Sequence, residues 1–329
     1  MLCFLVFILV FFGGIYVSGD RVRDRAEVAS NTKTPKPQKT AKPTKKPVQR
    51  VMQTQAPASE KAKTKAKKVK AKKSFKLNLK KKNKLSKGLY RLGKKLFYIK
   101  KNKKVATGYT KVEDSAYYFS PKTGFAVKKA WQEVEFEGET YKLYFDEDGQ
   151  RVMDVTDLME EDCKYQIDVN LAKNMLAIFA QDKDGKYSIP VKSMICSGGM
   201  AGHETIQGTY TGLIPLGEWH QLRYNSVGQY ATRISGPYLF HSVVYDTFDS
   251  YSLDKEEYEK LGTSASHGCI RLQVIDAKWI FDRASQCQAK IYSDKSKKYL
   301  LDKPDMVEVG KDDQGNYYDP TDPNLAWAG

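Results

Sequence analysis

The chain has 329 residues, with 55 Lys+Arg against 39 Asp+Glu and a formal net charge of +16. At 41% hydrophobic and 12% aromatic it has the material for a buried core, which excludes wholesale disorder. Its 5 cysteines (Cys3, Cys163, Cys196, Cys269 and Cys287) are too few and too scattered for a disulfide scaffold or a zinc ribbon.

The first element, residues 1–19, contains an unbroken apolar run from Leu2 to Val17. As a helix it reaches about 24 Å at roughly 1.5 Å per residue, slightly short of a bilayer core of about 30 Å. This predicts a signal peptide or a membrane anchor, and hence a chain working outside the cytoplasm. Ser18 and Gly19 offer small residues for cleavage, whereas Arg21, Arg23 and Arg25 follow the run instead of preceding it. Nothing comparable comes later, so a multi-span membrane protein is excluded.

Residues 20–84 are predicted to be a basic linker rich in Lys, Pro and Thr. Asp20 to Lys104 holds 31 Lys+Arg and 4 Asp+Glu, which leaves the remainder of the chain at −11. A globular part of that sign argues against a nucleic-acid footprint. Prolines and self-repulsion make the linker an extended spacer that cannot offset its chain entropy by burial. An exported polycation meets anionic lipid or an anionic wall polymer; a plain solvated tether is the other reading.

Residues 85–160 change character. Leu96 to Ile99, Tyr117 to Phe119 and Leu143 to Phe145 are aromatic strand cores, separated by turn signals at Pro121 to Gly124 and Asp146 to Gly149. Strand and turn recurring every 20 to 25 residues or so predict stacked hairpins that need neighbours to bury a face. The stretch Tyr117 to Trp131 resembles the cell-wall-binding hairpin repeats of Gram-positive surface proteins, although only Trp131 supplies the tryptophan that such repeats use for ligand cages.

Residues 161–294 are predicted to form the main domain, mostly β with one main helix. Tyr165 to Val169 and Met175 to Phe179 alternate around a turn at Asn170 to Asn174, which is a hairpin signature. Short strands follow at Val191 to Cys196, Thr209 to Gly212 and Tyr238 to Val244. Val274 to Ser285 has apolar residues at helical spacing, and Ala289 to Tyr292 closes the domain as a strand. Residues 295–329 form a polar tail, expected at the periphery.

The sharpest chemical feature is Ser264-Ala-Ser266-His267-Gly268-Cys269-Ile-Arg271-Leu272. Thiolate is the nucleophilic form of cysteine, and nearby positive charge favours it. Gly268 permits close approach of backbone amides to a reacting carbonyl, and the planar fork of Arg271 suits a carboxylate. The plainer reading, a buried inert thiol, stands beside the catalytic one. A cysteine nucleophile takes its base from elsewhere in the chain, and His241, ending the Tyr238 strand, is a candidate together with His267. His203 and His220 lie in hydrophilic, turn-like surroundings and are expected to be exposed.

Ser-x-Ser-His-Gly-Cys-Ile-Arg-Leu, the downstream Asp276-Ala-Lys-Trp-Ile280 and the strand ending in His241 together resemble the L,D-transpeptidase catalytic domain, also called YkuD-like. The likeness spans about Tyr165 to Asp294 and includes the strand ending in Cys196-Ser-Gly-Gly199. It implies a β-sandwich with the nucleophile in a groove, acting on peptidoglycan stem peptides without metal or organic cofactor. By position, Cys269 is the implied nucleophile and His241 its proton acceptor, with Ser242 orienting the imidazole through its carbonyl. The amides of His267, Gly268 and Cys269 are the implied oxyanion donors, with Ser266 and Arg271 supporting the groove. The chain departs from the family at Thr205-Ile-Gln-Gly208-Thr-Tyr210, which lacks the usual proline. It also departs in an extra Asp246 to Lys260 that reads as a lid or insertion, and at Cys287, where glycine is more usual.

Overall fold

The computed structural model describes residues 85–325. The expected leader (1–19) and basic linker (20–84) lie outside them. Aromatic alternation produces three antiparallel hairpins in succession: β1 (Gly88–Leu92) with β2 (Lys95–Ile99), β3 (Gly108–Val112) with β4 (Ser115–Phe119), and β5 (Ala130–Phe136) with β6 (Glu139–Phe145). A hairpin alone buries too little to stand, so each leans on the next. The Ala126 amide donates to the Leu96 carbonyl and the Arg151 amide to Ala116, both at 2.8 Å. Leu96, Tyr98, Ala106, Tyr117 and Phe119 fill one of the small cores between them.

The second half of the described chain is a two-sheet sandwich. One sheet has the order β10 (Gly208–Tyr210), β15 (Cys287–Tyr292), β7 (Tyr165–Asn170), β8 (Met175–Gln181), β9 (Tyr187–Ile195). The other has the order β11 (Ile214–Gln221), β12 (Val227–Ser235), β13 (Tyr238–Ser242), β14 (Ile270–Leu272). Ile167, Val169, Leu176 and Ile178 of the first sheet and Val227, Phe240, Ile270 and Leu272 of the second share one core. The main helix, α2 (Val274–Asp282), adds Ala277, Trp279 and Ile280 to it, and the shorter α1 (Lys255–Glu259) contributes Tyr258. This is the mostly β, one-main-helix architecture expected from the sequence. The pair β11–β12 was not expected, because Ile214 to Gln221 mixes polar, glycine and proline positions with no clear alternation.

One peripheral expectation gives way. The tail, read as an outlying segment, is polar but deeply packed. Leu300 and Leu301 are 5% and 3% exposed, and Asp319 and Asp322 are each 1% exposed. Asp319 Oδ2 accepts the Val274 amide at 2.8 Å and so satisfies a donor at the start of α2, while Asp322 Oδ2 accepts from Gln229 and Ser250. Leu300 also completes the core of the third hairpin, and its carbonyl accepts from Arg151. Of the stretch Asp246 to Lys260, read as a lid or an insertion, the α1 end is packed into the domain. Tyr258 is fully buried, and its hydroxyl donates to the Val307 carbonyl at 3.0 Å.

Candidate active site

The parallel pairing of β13 with β14 determines which side chains meet. His241 and Arg271 are register partners, so their side chains share a face, while Phe240, Ile270 and Leu272 point into the sandwich core. Cys269, one residue before β14, continues the alternation onto the His241 face. A cavity of about 360 Å³ opens there, lined by Cys269, His241, Arg271, Ser266 and His267. Ser242 and Gly268 stand behind this lining, in bonding contact with it.

His241 is 2% exposed, and its Nδ1 lies 2.6 Å from the Ser242 carbonyl. A carbonyl only accepts, so Nδ1 carries the proton and Nε2 keeps its lone pair. Gly228 on β12 backs the ring: a Cβ there would stand 3.0 Å from His241 Nδ1, so a side chain at this position would press on the imidazole. Burial first, and then the Arg271 guanidinium, push the imidazole pKa down to about 3. The Cys269 thiol moves the other way. Burial raises its pKa, only partly countered by a Leu239 backbone hydrogen bond and by Arg271 and Arg223. Its Sγ sits 3.6 Å from the Pro237 carbonyl, a weak acceptor for the thiol proton. The resting pair is therefore neutral thiol and neutral imidazole, not thiolate and imidazolium.

The loop before the cysteine is pinned by Ser266, which is 1% exposed. Its hydroxyl donates to the Cys269 carbonyl at 2.5 Å and accepts the Gly268 amide at 3.1 Å. Gly268 has φ of 110°, a region that disfavours any side chain, and a Cβ there would meet Tyr238 at 2.9 Å. Since its amide is spent on Ser266, Gly268 is not a free oxyanion donor, in contrast to the expectation. Ser197 exchanges two backbone hydrogen bonds with Arg271, and the Ala265 and Ser266 amides both donate to the Gly198 carbonyl. The Cys196-to-Gly199 segment thus frames the nucleophile loop.

Arg271 lines the cavity and has a partner that the sequence did not show. It is 6% exposed, and its Nη1 pairs with the Glu257 carboxylate and reaches the Ala265 carbonyl at 3.5 Å. Through Nη1 the guanidinium braces the loop, and its charge lowers the imidazole pKa. Burial opposes the charge on Glu257, but hydrogen bonds from Lys260 and Arg271 outweigh it and hold the carboxyl pKa below its usual value.

Several residues at the site escaped the sequence reading. His203 is exposed as expected, but its ring lies 4.8 Å from that of His267, and the Tyr224 ring also lies 4.8 Å from it. His220, Arg223, Tyr224, Arg233 and Tyr238 line the cavity, mostly from the unforeseen β11–β12 hairpin. Recognising that hairpin was the one signal that would have found them. The three other described cysteines, Cys163, Cys196 and Cys287, are unpaired thiols.

Residues 164–309 match the L,D-transpeptidase catalytic domain (YkuD). Over 122 residues the chain is 38% identical to the putative L,D-transpeptidase YciB of Bacillus subtilis (strain 168), covering 35% of this chain and 59% of that relative. It is also similar to an L,D-transpeptidase structure from Stackebrandtia nassauensis, at 18% identity over 42% of this chain and 60% of the other, with a TM-score of 0.30. The hairpin region is similar to the choline binding domain of Spr1274 of Streptococcus pneumoniae, at 18% identity over 22% of this chain and 100% of that one, with a TM-score of 0.18. Residues 164–309 thus carry the sequence pattern of the YkuD family of L,D-transpeptidase catalytic domains.

Proposed function

We propose that the chain is a peptidoglycan L,D-transpeptidase that uses Cys269 as nucleophile and His241 as base. The supporting observation is their placement on one face of the β13–β14 ladder, opening into one cavity, with Nδ1 tied to Ser242 so that Nε2 is the basic nitrogen. Because both groups rest neutral, proton transfer accompanies attack. His241 Nε2 takes the thiol proton as sulfur bonds to the carbonyl carbon between the third stem residue and D-Ala. The His267 and Cys269 amides hold the resulting oxyanion, with the loop fixed by Ser266 and the Gly268 turn. As the C–N bond breaks, His241 returns the proton to the departing D-Ala amine, which leaves a thioester. An acceptor amine then attacks the thioester, passes its proton to His241, and regenerates the thiol as the cross-link forms. Water in place of the amine makes the same site an L,D-carboxypeptidase.

The apolar start and the basic linker fit an enzyme held at the outer membrane face or in the wall, with the lysines meeting anionic wall polymers. The decisive test is incubation with a defined tetrapeptide stem, with and without amine acceptors, read by mass spectrometry. Wild type releases D-Ala and yields dimer when an acceptor is present, and Cys269→Ala does neither. Undiminished D-Ala release from Cys269→Ala overturns the assignment.

A further inference from the structure

A second cavity, of about 850 Å³, lies between the β5–β6 hairpin, the start of the tail and the outer face of the five-stranded sheet, and none of its lining residues is shared with the Cys269 cavity. Its floor is a polar ladder. Gln166 and Asp168 alternate along β7 beside their register partners Gln288 and Lys290 on β15. Gln288 Nε2 donates to Gln166 Oε1 at 2.8 Å, and Gln166 Nε2 donates to Asp168 Oδ1 at 2.7 Å. The Tyr292 hydroxyl reaches Asp168 Oδ2 at 3.4 Å and stands 2.5 Å from the Tyr299 hydroxyl. Asp168 is only 8% exposed although it lines an open cavity. A covered sheet face is ordinarily apolar, and burying a carboxylate has a cost. Here the carboxylate and amide are held in fixed planes and face a space walled by Tyr141, Tyr187 and Tyr299.

Aromatic faces beside oriented planar acceptors and donors suit a molecule with apolar C–H faces and hydroxyl edges. The 6 lysines and 5 acidic residues around the cavity nearly balance, so it offers no strong field to a polyanion. We propose that this cavity binds an uncharged oligosaccharide, with sugar rings on the tyrosines and hydroxyls on Asp168 and Gln166. The site is independent of the acyl transfer proposed above, and its test does not read activity.

Calorimetric titration of the full chain with N-acetylated chitotetraose and with cellotetraose decides it, and which of the two binds tells an amino-sugar source from a glucan. Saturable binding of either is expected. Tyr141→Ala and Asp168→Asn should each weaken it about tenfold, the worth of one ring contact or one oriented hydrogen bond. Cys269→Ala should bind as wild type does, which separates this cavity from the catalytic one. Tyr141 lies on a surface hairpin, so its variant keeps the test decisive if Asp168→Asn does not fold. The proposal is overturned if neither sugar binds, if folded variants bind unchanged, if Cys269→Ala abolishes binding, or if poly(glycerol phosphate) binds in place of the sugars.

Discussion

The hairpin module and the sandwich solve the burial problem in opposite ways. The module stacks small cores repeated down the chain, the first two built by residues close in sequence and the third completed by Leu300 of the tail. The sandwich gathers both sheets, two helices and distant strand ends into one core. A reactive centre needs groups from remote segments held in one geometry, and only the second kind of core supplies them. His241 is set by Ser242 and Gly228, Cys269 by Ser266, and Arg271 by Glu257 and Ser197. The module, by contrast, contains no histidine at all between residues 85 and 160.

The contrast can be broken most severely at the base. His241→Gln keeps the ring's approximate volume but replaces the basic imidazole nitrogen with a non-basic amide, so D-Ala release should fall by about 10²–10⁴-fold. The melting of the module, followed by its own tyrosine signals, should not move. A fall of less than about tenfold removes His241 from proton transfer.

A matched pair of cavity-forming changes comes next. Phe119 and Phe240 are both fully buried, one in the module and one in the sandwich. Each Phe→Ala change should cost about 3–5 kcal/mol within its own core. Only Phe240→Ala should lower D-Ala release measured well below the melting temperature, because Phe240 sits beside His241 on β13. Equal loss of activity in Phe119→Ala would show that the two cores unfold as one.

The most gradual effect is a slope with pH. The folded imidazole of His241, buried and beside Arg271, titrates at about 3 against an unfolded value of 6.5. A base with a depressed pKa binds fewer protons folded than unfolded. Its contribution is fully present above pH 6.5 and is lost as pH falls toward 3, at about 1.4 kcal/mol per pH unit. Denaturant unfolding of wild type and His241→Gln across this window isolates the slope, since every other group cancels between them; parallel curves refute a buried neutral histidine. In the same spirit, alkylation of Cys269 by iodoacetamide should be slow at pH 7 and keep rising through pH 9, because burial has raised the thiol pKa. A plateau below pH 7 would mean a preformed thiolate.

Legibility in the sequence followed the range of the interactions. The aromatic strand patterns of the hairpins, the β7–β8 turn and the α2 pattern rest on neighbours a few residues apart, and they appear in the structure at those positions. The β11–β12 hairpin was missed because Pro215, Gly217 and the bulge near them break the alternation, while its stability comes from cross-strand partners. Glu257 and His220 were missed for a related reason: nothing within a few residues of either shows that the fold turns it toward Arg271 or into the cavity.

By itself the amino-acid sequence determined that a cysteine flanked by Ser266, His267, Gly268 and Arg271 sits in a tight turn, that His241 lies on a strand, and that the module is repetitive. Local sterics and local composition suffice for those statements. Tertiary structure alone decided that the Gly268 amide is occupied, that Arg271 is neutralised by Glu257, and that thiol and imidazole rest uncharged. Hydrogen-bond allocation and proton affinity depend on burial and on through-space charge, and both exist only once remote segments have packed together.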